Sequence, residues 1–314
     1  MKRNKHVLAT ALALGVLSGG AAFAEPESCE EVAFADVGWT AETATTAMSG
    51  MILEALGYEV DIKVLSIPAT YKSMENGDID AFLGNWMPSM AADIKPYTDA
   101  GTVEVVRPVV EGAKYTLATN AAGAALGIRD FADIATHREA LDNAIIGIEP
   151  GNDGNRLVLE MIENDTFGLA GFELKESSEQ GMLAQVARSD GKGEPVVFLG
   201  WAPHPMNNNF DMTYLTGGDD TFGPDFGAAT VYSNVRAGYL EECPNVGQFL
   251  KNLAFSVEME NVLMAAILDE GQDPEDAARD WLAGNMGVLD TWLEGVSTRD
   301  GGDAKAAVEA ALAD

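Results

Sequence analysis

Apolar and polar positions along this chain change period again and again. Residues 32–36 form an apolar run of strand length, 42–56 carry apolar side chains at helical spacing and stop at Gly57, and 58–65 alternate between β-branched or apolar and polar positions. A helix over 68–75, with proline tolerated in its first turn, precedes the turn Asn76-Gly77-Asp78 and a strand over 80–84. This βαβαβ succession predicts a mostly parallel sheet covered on both faces. Residues 114–120 read as a crossing strand, after which a second α/β unit begins. Its parts are helices over 131–135, 155–163 and 179–189 and strands over 145–148 and 196–199. Strands near 213–215 and 227–233 carry the chain back. Helices over 246–255, 258–269 and 274–283 and an alanine-rich tail from Asp303 follow. The first domain is therefore expected to be discontinuous, with the second inserted into it.

Three strands are expected to end in the same way. Phe198-Leu199-Gly200-Trp201-Ala202-Pro203-His204-Pro205-Met206 repeats the plan of Phe82-Leu83-Gly84-Asn85-Trp86-Met87-Pro88-Ser89-Met90, and Gly38-Trp39 again closes an apolar run. Ligands of open α/β sheets bind beyond the carboxyl ends of the strands. Tryptophans gathered there suit pocket walls better than core packing, whereas Trp281 and Trp292, within helical patterns, suit packing. The loop Ile148-Glu149-Pro150-Gly151-Asn152-Asp153-Gly154-Asn155 lies between a strand and a helix. Its asparagines can cap that helix, or Asn152 can serve a cleft as a hydrogen-bonding group.

The remaining features bound the setting. Residues 1–24 read as a secretory signal, with Lys2, Arg3 and Lys5, a short apolar run, and Ala22-Phe23-Ala24 for cleavage. The run is too short to span a bilayer, so a freely diffusing periplasmic protein is expected. The formal charge is −31, and removing the three cations of the signal leaves −34. Such a surface repels nucleic acid and anionic membrane and favours the arrival of a cation; it is equally an adaptation to salty surroundings. An exported chain with two cysteines, Cys29 and Cys243, is expected to pair them.

No phosphate loop, nucleophilic serine motif or catalytic partner for a cysteine stands out, and His137 and His204 are too few for a histidine-rich metal site. Gly217-Gly218-Asp219-Asp220 lacks the spacing of a calcium loop and reads as a surface turn. Neither a cofactor nor a metal is expected.

Taken together, VGWTAETATTA (37–47), FLGNWMPSM (82–90), EGAKYTLATN (111–120), GIEPGNDGN (147–155), SSEQGMLAQVAR (177–188), VFLGWAPHPMN (197–207) and ECPNVG (242–247) resemble the choline- and betaine-binding proteins of bacterial ABC importers, nearest to the choline branch. The resemblance runs over nearly the whole mature chain. It implies a type II periplasmic binding protein, two α/β lobes with a hinge and a ligand cleft between them. The expected division is a signal at 1–24, lobe I at 25–112 and again at 211–314, and lobe II at 113–210, with hinges near 111–114 and 207–213. The family's aromatic box falls on Trp39, Trp86, Tyr115 and Trp201, with a polar role for Asn152 and a disulfide between Cys29 and Cys243. One position departs from the pattern: choline-binding members place an aspartate two residues after the first tryptophan, where this chain has Ala41 followed by Glu42. The implied protein is a monomer that is no enzyme, takes choline or another methylated osmolyte such as glycine betaine or trimethylamine N-oxide, and delivers it to a membrane permease. An enzyme acting on a small cationic metabolite and a sensor docking to a receptor are the alternatives from other classes.

Overall fold

The computed structural model describes residues 25–313. The expected signal lies outside the described residues. Among the described residues, nine strands form one continuous sheet: β1 Glu31–Asp36, β2 Glu59–Val64, β3 Ala81–Met87, β4 Val103–Asn120, β5 Ala144–Ile146, β6 Glu173–Lys175, β7 Val197–Ala202, β8 Met212–Tyr214 and β9 Ala228–Arg236. The order is β2-β1-β3-β9-β4-β7-β5-β6, with β8 also on β4.

The two ends of this sheet are the two halves of an α/β protein. At one end β1 pairs parallel with β2 and β3, joined through helices Thr40–Ala55 and Ile67–Asn76; at the other β5 pairs parallel with β6 and β7. The expectation of a mostly parallel sheet needs correction, because every pairing that involves β4 or β9 is antiparallel. Local periodicity shows the βαβ units at the ends. It carries no sign of the direction in which a distant strand returns.

β4 joins the halves. Its first part pairs with β9 and its last part with β7 and β8, over a length that the sequence reading shortened to 114–120. The early part was hidden by Pro108, which sits among register shifts where a missing N–H does little harm. The sequence also missed the helix Ala91–Ala100, which contains Pro96, together with the helix Ala121–Leu126 and the short β6. β8 pairs with Ala118–Asn120 of β4 on the edge opposite β7, the edge that β9 occupies further back along β4. The segment read as a surface turn at 217–220 instead leads into the short helix Asp219–Phe222, which buries Phe222 against Tyr115 at 5.7 Å between ring centroids.

C-terminal helices Val257–Leu268 and Pro274–Gly284 pack on Thr40–Ala55. Trp292 is buried and stacks on the half-buried Trp281, as packing residues do. Cys29 and Cys243 are joined, both fully buried, across 214 positions of chain.

Candidate binding cleft

The strand exits bring the site together. Gly38 has φ +84°, a conformation that costs glycine little, and it turns the chain from β1 into helix Thr40–Ala55 with Trp39 at the cap position. Trp86 ends β3. Tyr115 lies on β4 directly opposite Trp201 of β7. The peptide bonds Met87-Pro88 and Ala202-Pro203, which follow the two echoing tryptophan segments, are both cis.

A cavity is lined by Trp39, Ala41, Glu42, Trp86, Tyr115, Ile148, Asn152 and Trp201, leaving about 30 Å³ for the centre of a water-sized sphere. All seven residues expected from the sequence as ligand contacts are in that lining; Ile148 is the addition. Tyr115 stands edge-on between Trp86, at 6.0 Å, and Trp201, at 6.1 Å. Trp39 and Trp86 come from one half of the sheet, while Tyr115 and Trp201 come from the paired strands of the other. The Tyr115 hydroxyl reaches so far under helix Asp153–Glu163 that a Cβ on Gly154 would lie 2.0 Å from it, which leaves glycine as the residue that fits.

Asn152 both caps its helix and lines the cavity. Its Oδ1 caps helix Asp153–Glu163 by accepting from Asn155 N–H at 3.1 Å, and it also accepts from the Tyr115 hydroxyl at 2.9 Å. Its Nδ2 donates to Asp153 Oδ1 at 3.1 Å. Asp153 is fully buried, and burial pushes its carboxyl up to about 7.

Around the rings lies a set of carboxyl groups that sequence reasoning did not connect. Asp36 accepts from Gly38 N–H and from the Thr43 hydroxyl, and burial raises it. Glu42 Oε2 accepts from Val37 N–H at 3.2 Å, while its Oε1 is buried without a partner. Burial, and then the charge of Asp36, push the Glu42 carboxyl well above its usual range. Glu149 accepts from Trp39 Nε1 at 2.7 Å and is itself raised by burial.

Among the hydrogen bonds that join the halves, three groups lie around the cavity. Besides Trp39 with Glu149, Arg156 donates to Ser89 O at 2.8 Å and to Asp93 Oδ2 at 2.9 Å. The third is Glu179, 1% exposed, which accepts from Thr40 N–H at 2.9 Å, from the Thr40 hydroxyl at 2.7 Å and from His204 Nε2 at 3.0 Å. His204 Nδ1 accepts from Met206 N–H, which makes Nε2 the protonated nitrogen and the donor. Trp39 offers no side-chain cap to its helix. Glu179 therefore supplies from the opposite half the anion that a helix N-terminus favours. A strong helix start with a tryptophan where a serine or aspartate belongs was the available signal that the cap lies elsewhere.

Residues 30–284 match the family described as the substrate-binding domain of ABC-type glycine betaine transport systems, OpuAC. The fold superposes with a TM-score of 0.91 on an ABC-transporter choline binding protein in complex with choline, 64% identical, covering 92% of this chain and 100% of that one. The unliganded semi-closed form of an ABC-transporter choline binding protein gives 0.85 at 64% identity, covering 91% and 99% of the two chains. The glycine betaine/carnitine transport binding protein GbuC of Listeria monocytogenes is 28% identical over 167 residues, 53% of this chain and 54% of that protein.

Proposed function

The chain belongs to the family of substrate-binding domains of ABC-type glycine betaine transport systems, and from that premise we propose that it is the periplasmic receptor of an ABC importer and captures choline. The observation that carries this reading is the cavity walled by Trp39, Trp86, Tyr115 and Trp201, contributed by both halves of one sheet. A quaternary ammonium has no N–H to donate and is weakly hydrated, so aromatic faces recognise it, each contact giving about 0.5–2 kcal/mol. The lining contains no lysine or arginine to pair with the carboxylate of glycine betaine, which favours choline. The family and its relatives are transport proteins rather than enzymes.

In this reading lobe I holds β1, β2, β3 and β9 with the C-terminal helices, lobe II holds β5 to β8, and β4 runs through both. The hinges are Glu111-Gly112, where pairing of β4 with β9 shifts register, and the return segment before Ala228. Rings and cross-cleft hydrogen bonds meet only when the lobes close, so ligand and closure stabilise each other. A permease then reads the closed shape of a monomer, delivered to the periplasm by the signal at 1–24.

Titration of the mature protein with choline, glycine betaine, trimethylamine N-oxide and the uncharged tert-butyl isostere of choline tests the reading. Choline is expected to bind best. Trp201→Ala should weaken it at least about tenfold, or 1.4 kcal/mol. If the neutral isostere binds as tightly as choline, the rings act as a hydrophobic pocket and the cation cage is wrong.

A further inference from the structure

The cavity lining holds one carboxyl group, that of Glu42. Glu42 is 4% exposed, its Oε2 is used by Val37 N–H, and its Oε1 has no partner among the described residues. A buried polar atom left unpaired is costly, so one on a ligand cavity is a group for the ligand to complete. The carboxyl rests on Gly84, where a Cβ would come within 2.7 Å of the Glu42 Cδ, and this contact holds it in place. Ala41 also lines the cavity and presents only a methyl group there. Successive helical residues differ by about 100° around the axis. A carboxyl at 42 thus reaches the same cavity from the next angle round.

Resting on the choline-capture reading above, we propose that Glu42 is the specificity-determining residue for the end of the ligand away from its ammonium, with the free Oε1 accepting the hydroxyl of a quaternary ammonium alcohol. A ligand ending in carboxylate would press a negative charge on this group and on its acidic surroundings. Those are Asp36 at the exit of β1, Glu149 in the loop after β5, and Glu179 from the other side of the Thr40 amide. The nearby cation Arg156 is engaged by Asp93 and Glu160, and the His204 ring by Glu179 and Met206 N–H.

Calorimetric titration of the mature protein at pH 7 tests this with choline and tetramethylammonium, which shares the head but lacks the hydroxyl. Wild type should bind choline at least about tenfold tighter than tetramethylammonium. Glu42→Gln should remove most of that preference by lowering choline affinity more than tetramethylammonium affinity, and an unchanged melting temperature without ligand reports a folded protein. A Gln variant that keeps the preference overturns the role of Glu42 and leaves the cage standing. Failure of tetramethylammonium to bind wild type overturns the cage, and this assignment with it.

Discussion

Replacing Glu179 by glutamine alters the closed protein without touching the ligand cavity. Glu179 does not line that cavity, yet three donors converge on it: Thr40 N–H at 2.9 Å, the Thr40 hydroxyl at 2.7 Å and His204 Nε2 at 3.0 Å. Two of the three come from the opposite half, so they require the two halves to be together. Hydrogen bonds to a charged partner contribute about 1.5–3 kcal/mol each. An amide keeps the shape, removes the charge, and turns one oxygen into an N–H that faces a donor. The closed form should lose the worth of about one charge-assisted bond, and the open form little. In the proposed reading closure is linked to binding, so that loss appears in the affinity: 1.5–3 kcal/mol corresponds to about a 10- to 150-fold rise in Kd. The rise should lie mainly in the dissociation rate, readable by stopped-flow tryptophan fluorescence. Thr40→Val removes the hydroxyl alone and should have a smaller effect in the same direction. A Glu179→Gln protein that melts normally without ligand and binds choline within twofold of wild type would refute the reasoning.

Other expectations concern stability and closure. Glu260 is buried with Oε2 unpartnered, and burial pushes its carboxyl up to about 8. Because the folded state holds this proton where the unfolded chain has lost it, stability should fall as pH rises from about 4.5 to 8 and then level; Glu260→Gln should raise the melting temperature at pH 8 and leave it nearly unchanged at pH 4.5. Removing the Cys29–Cys243 bridge, which spans 214 positions, should cost about 2–5 kcal/mol in stability, measured by denaturant unfolding. Neither cysteine lines the cavity, so affinity at a temperature where the protein stays folded should be unchanged. Small-angle scattering should show a smaller radius of gyration on adding choline, and an unchanged radius at saturation from an open starting form would count against lobe closure.

The parts of this protein that were legible in its sequence are those with a local signature. Gly38-Trp39, Gly84-Asn85-Trp86 and Gly200-Trp201 announce strand exits because a glycine before a large ring at the end of an apolar run has few other uses. They lead to three of the four rings. Asn152 could be placed at a helix start, though not its second bond to the Tyr115 hydroxyl, since that partner is far away in sequence. Glu179, Glu149 and Arg156 were illegible for the same reason. Each looks like an ordinary charge at a helix end or loop, and each acquires meaning only from a residue across the cleft. The sheet was misjudged where antiparallel returns replaced local crossovers, and the length of β4 was concealed by a proline that its irregular pairing accommodates.

β4 also determines how force passes through the molecule. Eighteen residues of extended chain amount to a rod of about 55–60 Å if fully straight, and this rod is built into both lobes by its hydrogen-bond ladders. Two bodies welded to a common rod cannot slide past each other; they can only flex or twist it, and the hinge proposed above puts the deflection at Glu111 and Gly112, within one of the register shifts of the ladder. Tyr115 sits three residues beyond that hinge, on the lobe II side. A ring so close to the fulcrum sweeps a short arc while the distal ends of the lobes sweep long ones, so the cage wall can stay nearly assembled while the mouth of the cleft opens wide.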